Sequence, residues 1–366
     1  MKGLYIHIPF CKRICTYCDF PKQIAKEETK EIYLDYLLNE IASYESSGIL
    51  KDIRSVYIGG GTPNSLSIQQ LERLFQAIDP ILKKSLENTI EINSELFTED
   101  QAKLFVKYNI NRVSIGAQTF DSKILKDIQR LHTYKIVKET VKLLRRYGIQ
   151  NINIDMMYGL PNQSLKQLKQ DVRKVLGLMV PHISYYSLIL EEKTILEYQL
   201  KHHQITLPDD DLVVDMADYL TQKLKKKQFV HYEISNYAKK GYESTHNIGY
   251  WECEEYVGIG ASAAGYIGSR RYKNAIRLKD YYNHIQIEDS LLSTEDSKKE
   301  YMLLGLRMLR GISIDKYFER FKTYPNMDFD LDKLYKMGLI EEKNNFIRIK
   351  KDKIWVANAI FEEFVG

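Results

Sequence analysis

Along the first half of the chain, short apolar runs alternate with stretches whose apolar residues recur every three or four positions. The opening run over 3–9, Gly-Leu-Tyr-Ile-His-Ile-Pro, has the alternation of a strand, and 28–44 has helical spacing of Ile, Tyr and Leu. The same pair of patterns returns, with strands near 55–59, 89–93, 112–117, 151–157 and 182–190. Amphipathic helices such as 67–77 and 164–176 follow most of them. Six β-α units of this kind predict an α/β fold with a parallel sheet closed into a partial (β/α)6 barrel, whose reactive residues gather at the carboxyl ends of the strands. Cys11, the run Gly59-Gly60-Gly61, Glu91, Gln118 and Asp155 all fall at or near such ends. They are expected to face one mouth.

Beyond Leu207-Pro208 the alternation fades into a long polar helix over 211–225, then short strands and Gly-rich turns. The chain is therefore expected to divide into a barrel (1–205), an accessory region (206–296) and a C-terminal module (297–366). In the last, two helix-like segments lead to a hairpin over 339–350 turning at Asn344-Asn345, and then to a final helix. The arrangement resembles a winged helix. No distinctive basic recognition helix accompanies it, so packing against the barrel is expected rather than nucleic-acid binding.

Composition narrows the classes. With 53 Lys and Arg against 49 acidic residues, the net charge of +4 leaves no electrostatic footprint for nucleic acid. Basic runs such as Lys225-Lys226-Lys227 read as solvated surface, and the 27 tyrosines as compositional bias. No apolar run approaches the roughly 18 residues of a membrane span. The first residues are too short and too polar-flanked for a secretory signal, so a cytoplasmic protein is expected.

Three of the four cysteines, Cys11, Cys15 and Cys18, share one eight-residue window, a clustering that indicates metal or redox chemistry rather than a disulfide framework. Cys253 stands alone and reads as a packed free thiol. Three thiolates on one loop can hold three irons of a cubane and leave the fourth open; a structural zinc completed by a histidine such as His7 is the alternative. The C-x3-C-x2-C spacing, with Tyr17 before the last cysteine, resembles the radical S-adenosylmethionine (SAM) signature. That resemblance implies a [4Fe-4S] cluster whose open iron is chelated by SAM.

Further motifs extend the resemblance. Gly59-Gly60-Gly61-Thr62-Pro63 follows the second predicted strand, where missing side chains let backbone approach a polar ligand; Gly60, Gly61 and Thr62 would then lie by the methionyl amine. Glu91, Gln118, Arg130 and Asp155 match further family positions. Each alone reads as a barrel-rim polar residue, yet one Arg, two carboxylates and an amide together complement a carboxylate, an ammonium group and two ribose hydroxyls. Tyr5 and Tyr17 are placed by the resemblance near cluster and SAM.

Tyr5-Ile6-His7-Ile8-Pro9-Phe10-Cys11, the Gly-Gly-Gly-Thr-Pro run and Tyr158-Gly159-Leu160-Pro161 are similar to the oxygen-independent coproporphyrinogen dehydrogenase group, over nearly the whole chain. The authentic dehydrogenases carry a fourth cysteine two residues after the third, where this chain has Phe20, and a longer segment before the first. His246-Asn247-Ile248-Gly249-Tyr250-Trp251 instead matches the His-Asn-x-x-Tyr-Trp motif of the haem-chaperone (HemW-like) branch. Without the resemblance His246 reads as a loop residue beside two core aromatics. With it, a neutral imidazole supplies an axial ligand for haem, and Tyr and Trp supply flat apolar surface. The branch implies a chaperone that binds haem and passes it to acceptor proteins, such as respiratory cytochromes, at the inner face of the membrane, with no catalytic residue to assign. A SAM-radical decarboxylase of coproporphyrinogen and a zinc-stabilised interaction protein are the competing readings.

Overall fold

A computed structural model describes residues 2–364. Six parallel strands come first, in chain order: β1 (Lys2–Ile8), β2 (Ile53–Gly60), β3 (Glu87–Ile92), β4 (Arg112–Gln118), β5 (Asn151–Tyr158) and β6 (His182–Ser187). Helices Glu27–Ser46, Ile68–Leu82, Glu99–Lys107, Tyr134–Arg146 and Leu165–Gly177 connect them. Ser67 and Ser164 start their helices with reciprocal capping boxes to Gln70 and Gln167, which is why those helices begin where the sequence pattern places them.

The alternation of each strand sorts residues between two environments. Leu4, Ile6 and Ile8 of β1, Val56 and Ile58 of β2, and Ile152 and Ile154 of β5 join the helices in one apolar core. The intervening positions carry polar groups that bond to one another across strands: Tyr57 to Glu91, Ser114 to Asp155, and Asn153 to Ser114 and Ser184. The inner face of the curved sheet is therefore polar, and these groups satisfy each other rather than water.

The sheet extends to twelve strands, beyond the six expected. At one edge β8 (Asn236–Ala238) pairs antiparallel with β6, and β7 (Val230–Glu233) pairs antiparallel with β8 as the outermost strand. At the other, β9 (Tyr256–Ile259) lies parallel to β1, followed by antiparallel β10 (Ala264–Ile267), β11 (Arg270–Asn274) and β12 (Gln286–Leu291). These added strands are mostly three to five residues long, too short for alternation to announce them. Residues after 205 thus complete both edges of the sheet that the first half begins. The expected sixth strand stops at Ser187 instead of running to 190.

Further on, a second apolar core gathers helices Thr294–Gly305, Ile314–Phe321 and Leu331–Lys336 around a three-stranded sheet. Its strands are β13 (Ile312–Ser313), β14 (Ile340–Lys343) and β15 (Phe346–Ile349), in the order β13-β15-β14. Asn344 and Asn345, with φ of 53° and 64°, make the expected tight turn between β14 and β15. Among the described residues no helix is long and apolar enough to cross a membrane.

Candidate functional site

The loop after β1 carries the cysteines. Its neck is tied by paired backbone bonds: Cys11 N–H donates to Gln23 O (3.0 Å) and Gln23 N–H to Pro9 O (2.7 Å). Thr16 fixes the far side, donating to Ile128 O and accepting from Leu196 N–H. Cys11, Cys15 and Cys18 so held line a cavity of about 370 Å³ at the carboxyl end of the parallel strands, a size within the roughly 300–1,000 Å³ of small-ligand sites.

All predicted site residues except Tyr5 and His246 line this cavity: Tyr17 with the three cysteines, Gly60, Gly61 and Thr62 after β2, Glu91 on β3, Gln118 at the end of β4, Arg130, and Asp155 on β5. Thr62 Oγ1 donates to Cys11 Sγ (3.4 Å), and Arg130 Nη1 to Cys15 Sγ (3.8 Å). Burial pushes the Cys11 and Cys18 thiols up; the hydrogen bond from Thr62 opposes this at Cys11, and the charge of Lys22 opposes it at both. On the β3 side, Glu91 accepts from Tyr57 Oη (2.7 Å) and Gly60 N–H (3.1 Å). Its burial, reinforced by the charge of Asp155, raises the Glu91 carboxyl to about 7 even so.

Two buried polar atoms of lining residues lack any partner, Gln118 Oε1 and Arg130 Nε. Unmet hydrogen-bonding capacity of this kind is disfavoured unless a ligand meets it. Gln118 also holds the left-handed conformation (φ 57°) at a bulge where β4 shifts register against β5, a strained geometry for a residue with a side chain. Asp171, from helix Leu165–Gly177, locks the following turn, accepting from Thr119 Oγ1 (2.6 Å) and Phe120 N–H (2.9 Å). Three thiols, an arginine, two carboxylates and unmet amide and guanidinium groups fit a cluster together with an amino-acid nucleoside.

The glycine run has a reason the sequence reading missed. A side chain on Gly60 (φ 108°) would strike the His7 ring within 2.8 Å, and one on Gly61 would meet Ile8 and Phe10 backbone at 2.9 Å. These glycines are required by the close approach of β1, whatever ligand they face. Other contributors missed by sequence were Asn93 and Arg112. Asn93 Nδ2 donates to Thr62 Oγ1 (3.2 Å), while Arg112 is almost fully buried in the lumen beside Thr89. Strand register brings Arg112 inward, and Asn93 stands just past the end of β3, at the turn Ser94–Leu96.

Tyr5 and His246 sit below the cavity. Tyr5 Oη shares a hydrogen bond with His7 Nδ1 (2.9 Å), whose Nε2 faces Pro21 O (3.0 Å); burial lowers His7 to about 4, leaving it neutral. His246 is 3% exposed. Its Nδ1 meets Ser55 Oγ (2.8 Å), its Nε2 meets Tyr250 Oη (2.9 Å), and its ring stacks on Tyr57 at 5.2 Å. Both ring nitrogens are thus engaged. The expectation of a loop position also fails, since His246 lies in helix Thr245–Trp251. Tyr250 and Trp251 of the same helix line a separate cleft.

Fold and site together define a radical SAM protein, and residues 5–175 match the family model described as the radical SAM superfamily. The chain is 37% identical to "Heme chaperone HemW" of Lactococcus lactis over 99% of its own length and 96% of that protein. It is 35% identical to that of Bacillus subtilis over the full length of both. This chain belongs to the HemW family. Among solved structures, Escherichia coli coproporphyrinogen III oxidase (HemN), a radical SAM enzyme, superposes with a TM-score of 0.83 over 99% of this chain and 89% of that one, at 20% identity, sharing the fold.

Proposed function

We propose that this protein is a haem chaperone that binds haem and hands it to acceptor proteins, carrying a [4Fe-4S] cluster and SAM in the cavity at the cysteine loop. The observation that supports it most is full-length similarity to haem chaperones in a chain whose cysteine window lacks a fourth thiol. Phe20, at that position, is 62% exposed at the rim of the cavity. On this reading Cys11, Cys15 and Cys18 hold the cluster, and Tyr17 covers it. Gly60, Gly61 and Thr62 lie by the methionyl ammonium, Arg130 takes the carboxylate, and Glu91, Gln118 and Asp155 supply acceptors for that ammonium and partners for the ribose hydroxyls. An intact cluster with bound SAM supplies the capacity for one-electron chemistry; the residues of this chain bind, orient and shield it.

His246 then serves haem through the helix it anchors. Direct axial ligation would require the ring to leave its place between Tyr57 and Ser55 and to give up a hydrogen bond. The acceptors would be haem proteins such as respiratory cytochromes, met at the inner face of the membrane from the cytoplasm. The test is haem titration of anaerobically purified, cluster-reconstituted protein, with coproporphyrinogen turnover measured alongside in SAM and reductant. Saturable one-to-one haem binding without turnover is expected; decarboxylation without haem retention would replace the chaperone by an enzyme.

A further inference from the structure

A second cleft, of about 630 Å³, opens over strands β1, β9, β10 and β11 beside helix Thr245–Trp251. Its walls include Tyr250, Trp251, Tyr256 and Tyr266, with Arg271 and Lys273 projecting from β11. Flat aromatic surface, with Arg271 and Lys273 set among the lining carboxylates Glu254 and Glu300, complements a large planar ring whose carboxylates meet the cations. Arg271 is already placed by its neighbours. Its Nη1 donates to Tyr256 Oη (2.8 Å), its Nε to Glu300 Oε1 (3.2 Å), and its guanidinium lies 4.5 Å from the Tyr266 ring centre. Lys273 makes no ion pair among the described residues, so its charge is the one not already neutralised.

The tyrosine hydroxyls of the cleft are not equivalent. That of Tyr250 is bonded to His246, and that of Tyr5 to His7. Tyr266 is buried, and its oxygen accepts from Arg320. Tyr256 is half-buried, and its oxygen accepts from the Arg271 guanidinium; burial holds the phenol above its ordinary value and Arg271 opposes this, and a tyrosine oxygen is an established type of haem-iron ligand.

We propose that haem seats in this cleft with its ferric iron bound by Tyr256 Oη, Arg271 holding that oxygen as a positioning residue, and Lys273 pairing with a propionate. This rests on the haem-chaperone reading above. On binding, the iron–oxygen bond forms as the phenol proton leaves to solvent, and the iron stays ferric.

The test is ferric haem titrated into the full chain as wild type, Tyr256→Phe, Lys273→Glu, His246→Ala and Cys253→Ser, followed by absorbance and by resonance Raman scattering from the phenolate–iron charge-transfer band. Wild type is expected to show the phenolate signature. Tyr256→Phe, which keeps the ring, should lose it and bind at least about tenfold more weakly, a change of about 1.4 kcal/mol. Lys273→Glu should weaken binding severalfold with the signature intact. Haem bound by wild type without the signature would overturn this proposal alone, whatever the folding of the variants. So would a signature unchanged in Tyr256→Phe, or one lost only in Cys253→Ser. A wild type that binds no haem would overturn the chaperone reading as well.

Discussion

At Glu91 a single buried carboxyl links the cavity to pH. Its carboxyl is raised to about 7 because burial and Asp155 disfavour the charged form. An acid whose folded pKa lies above its unfolded value contributes instability that is absent below the unfolded pKa, grows as pH rises from the unfolded to the folded value, and is fully present above the latter. Glu91→Gln without ligand should therefore melt above wild type at pH 8, by a margin that shrinks towards pH 5, as calorimetry will show. A ligand ammonium reverses the preference, since it rewards the carboxylate. SAM affinity of wild type should rise between pH 6 and pH 8, whereas Glu91→Gln should bind about tenfold more weakly with a flat profile, measurable by equilibrium dialysis. His246 presents a different residue-scale consequence. Replacing it by Ala removes a stacked ring and leaves the Ser55 and Tyr250 hydroxyls without their partner. We expect a loss of about 2–4 kcal/mol in urea unfolding, so reduced haem binding in this variant has to be compared with its stability before a ligand role is assigned.

Among the elements, helix Thr245–Trp251 depends on a residue far away in sequence. Glu87, at the start of β3, accepts from Thr245 N–H (2.9 Å), His246 N–H (3.1 Å) and Ser244 Oγ (3.3 Å), capping the helix from across the barrel floor. Glu87→Ala should destabilise by about 1–3 kcal/mol, and amide hydrogen exchange should quicken first over 245–251. The β14–β15 hairpin is local by contrast. Asn344→Ala puts a side chain that disfavours positive φ into a left-handed position and should cost about 1 kcal/mol, confined to the C-terminal core. The contrast explains what was legible. The hairpin, the parallel strands and the capped helices are written in adjacent residues. Glu87, Asn93, Arg112 and Asp171 act through partners from roughly 23 to 160 positions away, which no local pattern carries.

For the whole molecule, the cysteine loop is tied at its neck and at Thr16, while the main apolar core is made by strands and helices elsewhere. Replacing Cys11, Cys15 and Cys18 together by Ala should leave the far-ultraviolet circular dichroism unchanged and abolish iron and acid-labile sulfide on reconstitution. The cavity and the cleft share a wall. Phe20 borders both, and His7 stands between Gly60 on the cavity side and the cleft on the other. The sequence by itself determined the six β-α units, because alternation and helical periodicity are local consequences of one apolar face per element. It also determined the cysteine window and the strand-end residues, since covalent spacing alone brings three thiols onto one loop and strand polarity brings the other side chains to one mouth. Tertiary structure alone decided that the chain after 205 completes both edges of the same sheet. It alone also placed His246 in a buried position with both nitrogens engaged and opened a tyrosine-lined cleft beside it. Those outcomes depend on which distant strands pair and which polar atoms meet in the lumen, and such pairings are fixed by packing rather than by any spacing along the chain.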